Sequence, residues 1–273
     1  MNRDDLSFFH SWFHNYIKSY YSKNSCVQTN IKLKEEHTYG VCNNIVMIGK
    51  GLSLNGEQLQ IGETTALFHD IGRFKQFKRY KTFNHRRSQN YAKLSIEILK
   101  QTDILKRLPN EKETIICKAI SYHNLYTLPV KESNIFLFYA KLLRDADKLD
   151  IWSTIIEYYG RRHLHPNPAL ELELPDTQEY SSHFIDNIMN YRCTNMGNIE
   201  TCNGMKLSLS SWVFDINFLP TYHYIQHHKY IDRIVDLLPG TKDIRNTQKH
   251  INKYIKRKLT SKNSVSDKRP YEF

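Results

Sequence analysis

The segment 66–73, which reads A-L-F-H-D-I-G-R, constrains the rest of the chain more than any other. It sets His69 and Asp70 side by side at the end of an apolar run and just before Gly72. If Ala66 to Phe68 lie on a helix face entering the core, the imidazole and the carboxylate enter with them, and buried polar groups need partners. Adjacent histidine and aspartate at a helix end can converge on one divalent ion. That ion takes further protein ligands, and the sequence offers His37 and Asp147, with His123 as another candidate.

Apolar residues three and four apart predict helices along nearly the whole chain. Segment 4–21 carries Leu6, Phe9, Phe13, Ile17 and Tyr20 on one face. After a polar break at 22–29, a helix over about 32–48 aligns His37 with Val41, Ile45 and Ile48, turning its imidazole inward. A helix over 57–69 follows, and Gly72 lets the chain turn without a side chain obstructing the site. Segment 74–87 mixes aromatic and basic residues without a dominant period and reads as an irregular loop over a cleft; its Lys75 and Arg79 suit an anionic substrate. Helices are expected at 88–99, 111–122 and 131–149, the last bringing Asp147 beside an apolar stripe. Segment 160–175 is a break, 176–190 a helix, 207–218 an apolar segment, 222–238 and 241–259 helices, and 260–273 a frayed end. Strand-like alternation is nearly absent, so the fold class is all-α. The pairs His10/His14, His163/His165 and His223/His227 have ligand-like spacing but no matched acid, and read as surface or packing residues.

A chain of 273 residues can bury one sizeable core, so it needs no disulfide or structural metal merely to fold. Its five cysteines are scattered, with no C-x-x-C pair, which suits a reducing compartment. The N-terminus lacks a signal-peptide pattern and no stretch is apolar enough to span a membrane, so a cytoplasmic protein is expected. Of the net charge of +11, +7 falls in 241–273, where ten Lys or Arg face three Asp or Glu. That tail offers weak, sequence-independent attraction to nucleic acid or an anionic membrane, or is simply solvated. The division expected is an N-terminal helical extension at 1–30, a helical core with C-terminal elaboration at 31–240, and a basic helix and flexible tail at 241–273.

His37, the His69-Asp70 doublet in L-F-H-D-I-G-R-F and Asp147 in L-L-R-D-A-D-K-L-D form an H…HD…D pattern. With G-R-F-K-Q-F-K-R-Y-K-T-F, S-Y-H-N and S-W-V-F-D-I-N-F, the chain resembles the HD-domain metal-dependent phosphohydrolase superfamily, and within it an uncharacterised bacterial subgroup, over about 32–240. The resemblance implies an all-helical HD-domain bundle with additional C-terminal helices, and metal-assisted attack of water on phosphoester or phosphoanhydride bonds. In relatives of this subgroup a histidine opens the helix after the basic aromatic loop. Here Tyr91 stands in that place, and His85 falls where an acid is usual. Tyrosine is the weaker neutral ligand, which argues for one metal and against a second, with His85 a substitute only if the loop folds back.

Imidazole and carboxylate ligands suit Mn, Fe, Zn, Co or Ni. His37, His69, Asp70 and Asp147 would form the metal's protein shell, and Asp70 or an acid behind the ligands would orient the attacking water. His123 would protonate the leaving group or contact phosphate, and Arg73 and Lys148 would neutralise developing charge. Arg73, Lys75, Arg79, His123 and Lys148 thus make up the substrate-binding candidates. The expected activity is hydrolysis of a phosphate ester or anhydride in a nucleotide or other small phosphorylated metabolite. A nuclease or nucleic-acid-associated protein, and a catalytically weakened ligand-binding protein, remain open. No P-loop or dinucleotide fingerprint occurs.

Overall fold

Asn2, Asn24, Asn55 and Asn90 each accept hydrogen bonds from backbone N–H groups of the turn that follows, and each starts a helix. In this computed structural model, which describes residues 1–84, 87–194 and 196–261, there are twelve α-helices and no strand among the described residues. The chain divides into two compact units, one formed by Met1–Asp150 and the other beginning at Ile151.

In the first unit, α1 (Arg3–Lys18) buries Phe9, Phe13 and Ile17, the face expected from its spacing. The helix α2 (Ser25–Gly51) starts earlier than the 22–29 break allowed, because Asn24 Oδ1 accepts from Val27 N at 3.1 Å and the polar residues after it do not oppose a helix. The inward side of α2 is His37, Val41, Ile45 and Ile48, all buried. A capping box between Asn55 and Gln58 opens α3 (Gly56–His69), whose last residues from Thr64 to His69 are all buried. Phe68 of α3 meets Phe9 of α1 edge to face, with ring centres 5.6 Å apart.

Segment 74–87 departs from the loop expected of it. Helix α4 (Ile71–Tyr80) occupies its first half and ends at Lys81, which takes the left-handed conformation with φ 55. Ile71, Phe74 and Phe77, three apart and buried, anchor α4, while Lys78 and Arg79 occupy its outer side. The dense Lys and Arg content masked that period. Helix α5 (Tyr91–Thr102) begins at Asn90 and lies against the start of α4 so closely that a Cβ at Gly72 would sit 2.3 Å from Tyr91 O. Ser95 Oγ accepts from Gly72 N at 3.0 Å and donates to His69 O at 2.8 Å, fixing the bend between α3 and α4. The helices α6 (Asn110–Tyr122) and α7 (Asn134–Arg161) follow. Helix α7 continues well beyond 149, since Trp152, Ile155 and Ile156 prolong its apolar stripe.

In the second unit, Trp152 Nε1 donates to Leu209 O at 3.0 Å. Of 176–190, only α8 (Ser182–Met189) is helical, starting where Ser181 caps it. The 207–218 segment is split between α9 (Cys202–Ser211) and a 3₁₀ turn at Trp212–Asp215. The single helix expected over 222–238 is two, α10 (Leu219–His227) and α11 (Tyr230–Val235), interrupted where Lys229 adopts φ 52. Helix α12 (Lys242–Thr260) buries Ile244, Thr247, Ile251 and Ile255. The end expected to fray lies, from 262 on, outside the described residues.

Candidate metal centre

Four helices of the first unit deliver the histidines and aspartates. His37 comes from the middle of α2, His69 and Asp70 from the C-terminus of α3, His123 from the residue that ends α6, and Asp147 from α7. A helix end suits this task, because α3 stops at Asp70, whose φ of −105 and ψ of 12 turn adjacent side chains toward one point.

The four residues of the H…HD…D pattern converge. His37 Nε2 lies 3.2 Å from Asp147 Oδ1 and 3.5 Å from Asp70 Oδ2. His69 Nε2 is 3.8 Å from each of the same two oxygens. Ligands bonded to one ion at about 2.0–2.2 Å stand roughly 3–4 Å from each other, so these separations are those of a shared coordination sphere. Two overlapping triads have donor atoms within 4.8 Å of one another, His37 with His69 and Asp70, and His69 with His123 and Asp147.

The orientation of each imidazole is fixed from behind. His69 Nδ1 faces Ala66 O and His123 Nδ1 faces Ile120 O, both at 2.6 Å. A carbonyl can only accept, so the proton of each neutral ring sits on Nδ1 and Nε2 carries a lone pair. His37 Nδ1 is 2.6 Å from Asp150 Oδ2, which does the same for that ring. His37 Nε2, His69 Nε2, His123 Nε2 and Asp147 Oδ1 are buried with no hydrogen-bond partner among the described residues. Buried polar atoms left this way are costly, and a divalent cation held by either triad would satisfy those it contains, so the donor set fits a metal.

The field at this point demands positive charge. Burial and Lys34 push His37 down, but the carboxylates of Asp147, Asp150 and Asp70 outweigh both and raise it to about 10. Burial works against ionisation of Asp70, yet Lys34, His69 and Arg73 hold it well below the carboxylate range. Asp147 is held low against its burial by His37 and His69. Burial pushes His69 down, and burial with the nearby His69 takes His123 down to about 4. Among the described residues two cations neighbour Asp70. Lys34 Nζ donates to its Oδ2 at 3.0 Å, and Arg73 Nε is 3.6 Å from its Oδ1.

Arg73 is therefore beside the cluster, its NH1 donating to Gln76 Oε1 at 2.9 Å and Phe83 O at 3.0 Å. Its guanidinium lies 3.4 Å from the centre of the Tyr91 ring, and that ring is 5.4 Å from His123. Burial raises the Tyr91 phenol, which keeps it protonated. Lys148 is buried on α7, one residue past Asp147 and so turned about 100° around the helix axis from it. Lys75 is half-buried on α4, and Arg79 is exposed with its guanidinium 5.2 Å over Tyr80. His85 falls outside the described residues. His10 pairs with Glu63 at 2.9 Å and stacks on Tyr39, a packing role as expected.

Lys34 and Asp150 escaped the sequence reading. Both were accessible to helical periodicity, because K-E-E-H places Lys34 three residues before His37 and D-K-L-D places Asp150 three after Asp147. A one-turn offset from each ligand was the missed signal.

A centre of buried imidazoles and carboxylates on converging helices is a candidate divalent-metal site. Residues 35–152 match the family model of the HD domain, so this part of the chain is an HD domain. The match ends before the S-W-V-F-D-I-N-F segment that had extended the resemblance. No curated protein and no solved structure matches the chain.

Proposed function

We propose that the protein hydrolyses a phosphate ester or anhydride of a nucleotide or other small phosphorylated metabolite, using one divalent ion held by His37, His69, Asp70 and Asp147. The observation that carries this reading is the convergence of unpartnered, buried Nε2 atoms and Asp147 Oδ1 beside an ionised Asp70 within an HD domain. A divalent cation in such a site polarises a phosphoryl oxygen and lowers the pKa of water.

The chain's own groups divide the remaining work. Asp150, Ala66 O and Ile120 O hold the Nδ1 atoms of three imidazoles and so turn each Nε2 inward. Lys34 and Arg73 keep Asp70 ionised, so that it can ligate the ion and orient the attacking water. Arg73, clamped against Tyr91, Gln76 and Phe83 O, presents a fixed cation to phosphoryl oxygens, which costs no reorganisation when charge develops. His123 is neutral with its proton committed to a carbonyl, so we assign it a lone-pair role, as a further ligand or proton acceptor, and not protonation of the leaving group. Lys148, Lys75 and Arg79 remain candidates for substrate contact.

Metal-loaded protein should release phosphate from at least one member of a panel of nucleotides and phosphomonoesters. Asp70→Asn, which keeps the side-chain shape, should lower turnover by at least about 100-fold, the scale of losing a positioned charge at the reacting centre. Equal phosphate release by Asp70→Asn and wild type would overturn the assignment.

A further inference from the structure

The second unit carries a feature that hydrolysis of a small phosphate does not use. Helix α12 is divided lengthwise into distinct strips. Ile244, Ile251 and Ile255 are buried. Beside them Gln248 Nε2 and Asn252 Nδ2 donate to Asp232 Oδ1 of α11, at 2.7 and 2.8 Å. The side facing away from that core is cationic. Arg245, Lys249, Lys253 and Arg257 recur every four residues and all are exposed, with Lys242 and Lys256 flanking them. At 1.5 Å per residue the four cover about 18 Å along the axis. None of the six makes an ion pair among the described residues, and the one acid on α12, Asp243, lies at its N-terminal end.

An aromatic shelf borders this strip. His250 and Tyr254, one step further round α12, pack on Tyr191, with ring centres 4.5 and 5.6 Å apart. Tyr191 takes the left-handed conformation, φ 56, directly after α8 ends, and its N–H donates to Ile188 O at 3.0 Å. Phe214 meets its ring edge to face, centre to centre 5.7 Å, yet Tyr191 stays 45 % exposed. Arg257 stands 5.3 Å from that ring, joining the shelf to the cationic strip.

We propose that the outer face of α12, with Tyr191, binds single-stranded nucleic acid, the cations tracking the phosphates and the tyrosine stacking a base. Regular positive charge beside a fixed, half-exposed ring is what sequence-tolerant single-strand binding requires. Double-stranded nucleic acid offers the phosphates without a free base face. An anionic membrane is the poorer fit, because the apolar face of α12 is turned inward and leaves nothing to insert among lipids. The proposal is independent of the metal centre.

Fluorescence anisotropy of a labelled 15-nucleotide oligothymidylate, titrated with the full chain between 50 and 200 mM salt, tests it. Four phosphate contacts give a slope of log K against log salt of about −3. Lys249→Ala/Lys253→Ala should weaken binding and make the slope shallower by about 1.4. Tyr191→Leu keeps the apolar contacts but removes the stacking face, and should weaken binding roughly tenfold with the slope unchanged. Lys93→Ala/Lys100→Ala, two exposed positions on α5, should change neither. The proposal is overturned if the wild type does not bind at 50 mM salt, or if the α5 and α12 pairs lose affinity equally. It is also overturned if Tyr191→Leu binds like wild type, if duplex competes as well as single strand, or if phosphatidylserine vesicles and not the oligonucleotide are bound through α12.

Discussion

Replacing Gly40 with alanine should weaken metal binding without unfolding the protein, although Gly40 is not itself a ligand. It lies one turn from His37 on α2, and the Asp150 carboxylate rests against it. A Cβ at position 40 would be 1.8 Å from Asp150 Oδ1 and 2.7 Å from its Cγ. Aspartate has too short a side chain to yield by a few tenths of an ångström, so the carboxylate must swing away, and with it goes the Oδ2 contact of 2.6 Å that orients His37. Losing such a partner behind a ligating histidine costs about 10- to 100-fold in metal affinity, equivalent to about 1.4–2.8 kcal/mol. The helix itself gains about 1 kcal/mol from glycine to alanine, so the melting temperature of the metal-free variant should hold or rise. Competition against a chromophoric chelator measures the affinity directly. Asp150→Ala should show a loss of the same size, and the double variant should be no worse than Asp150→Ala, because both changes act through one carboxylate. If Gly40→Ala binds metal as tightly as wild type, or if the two losses add, the account of how His37 is held is wrong.

Two further outcomes concern stability. At Gly72 an added Cβ would meet backbone atoms, Tyr91 O at 2.3 Å and Ser95 N at 2.7 Å, so Gly72→Ala should cost about 1–3 kcal/mol and lower the melting temperature by roughly 2–10 °C; an unchanged melt would contradict the close approach of α4 and α5. Removing metal by chelation should lower the melting temperature reversibly, since an ion at 100 times its dissociation constant stabilises by about 2.7 kcal/mol; calorimetric scans that superimpose with and without chelator would contradict a metal bound to the folded state.

The all-α fold was legible because apolar spacing survives even where function intrudes. Phe9, Phe13 and Ile17, and His37 with Val41, Ile45 and Ile48, are buried as their spacing indicated. Failures came where one signal hid another. Cationic side chains around Phe74 and Phe77 obscured α4, and a cap at Asn24 turned a polar stretch into the first turns of α2. Lys229 shows why 222–238 could not be divided from pattern alone, since its left-handed φ of 52 leaves the apolar period on both sides intact. In the site, His69 and Asp70 stood out because they end an apolar run, whereas Lys34 and Asp150 act from behind the ligands and are visible only once helical register is applied around His37 and Asp147. Tyr91 was legible as a departure from the family pattern, but the Arg73 guanidinium lying on its ring depends on the packing of α4 against α5.

Everything proposed for catalysis depends on one ion meeting His37, His69, Asp70 and Asp147 at once. Elemental analysis of wild type and His69→Ala, each dialysed after incubation with a divalent transition metal, measures this most directly. The account predicts close to one tightly held ion per wild-type chain and loss of that ion in His69→Ala. Wild-type protein that retains no metal, or a His69→Ala variant that retains as much as wild type, would contradict it.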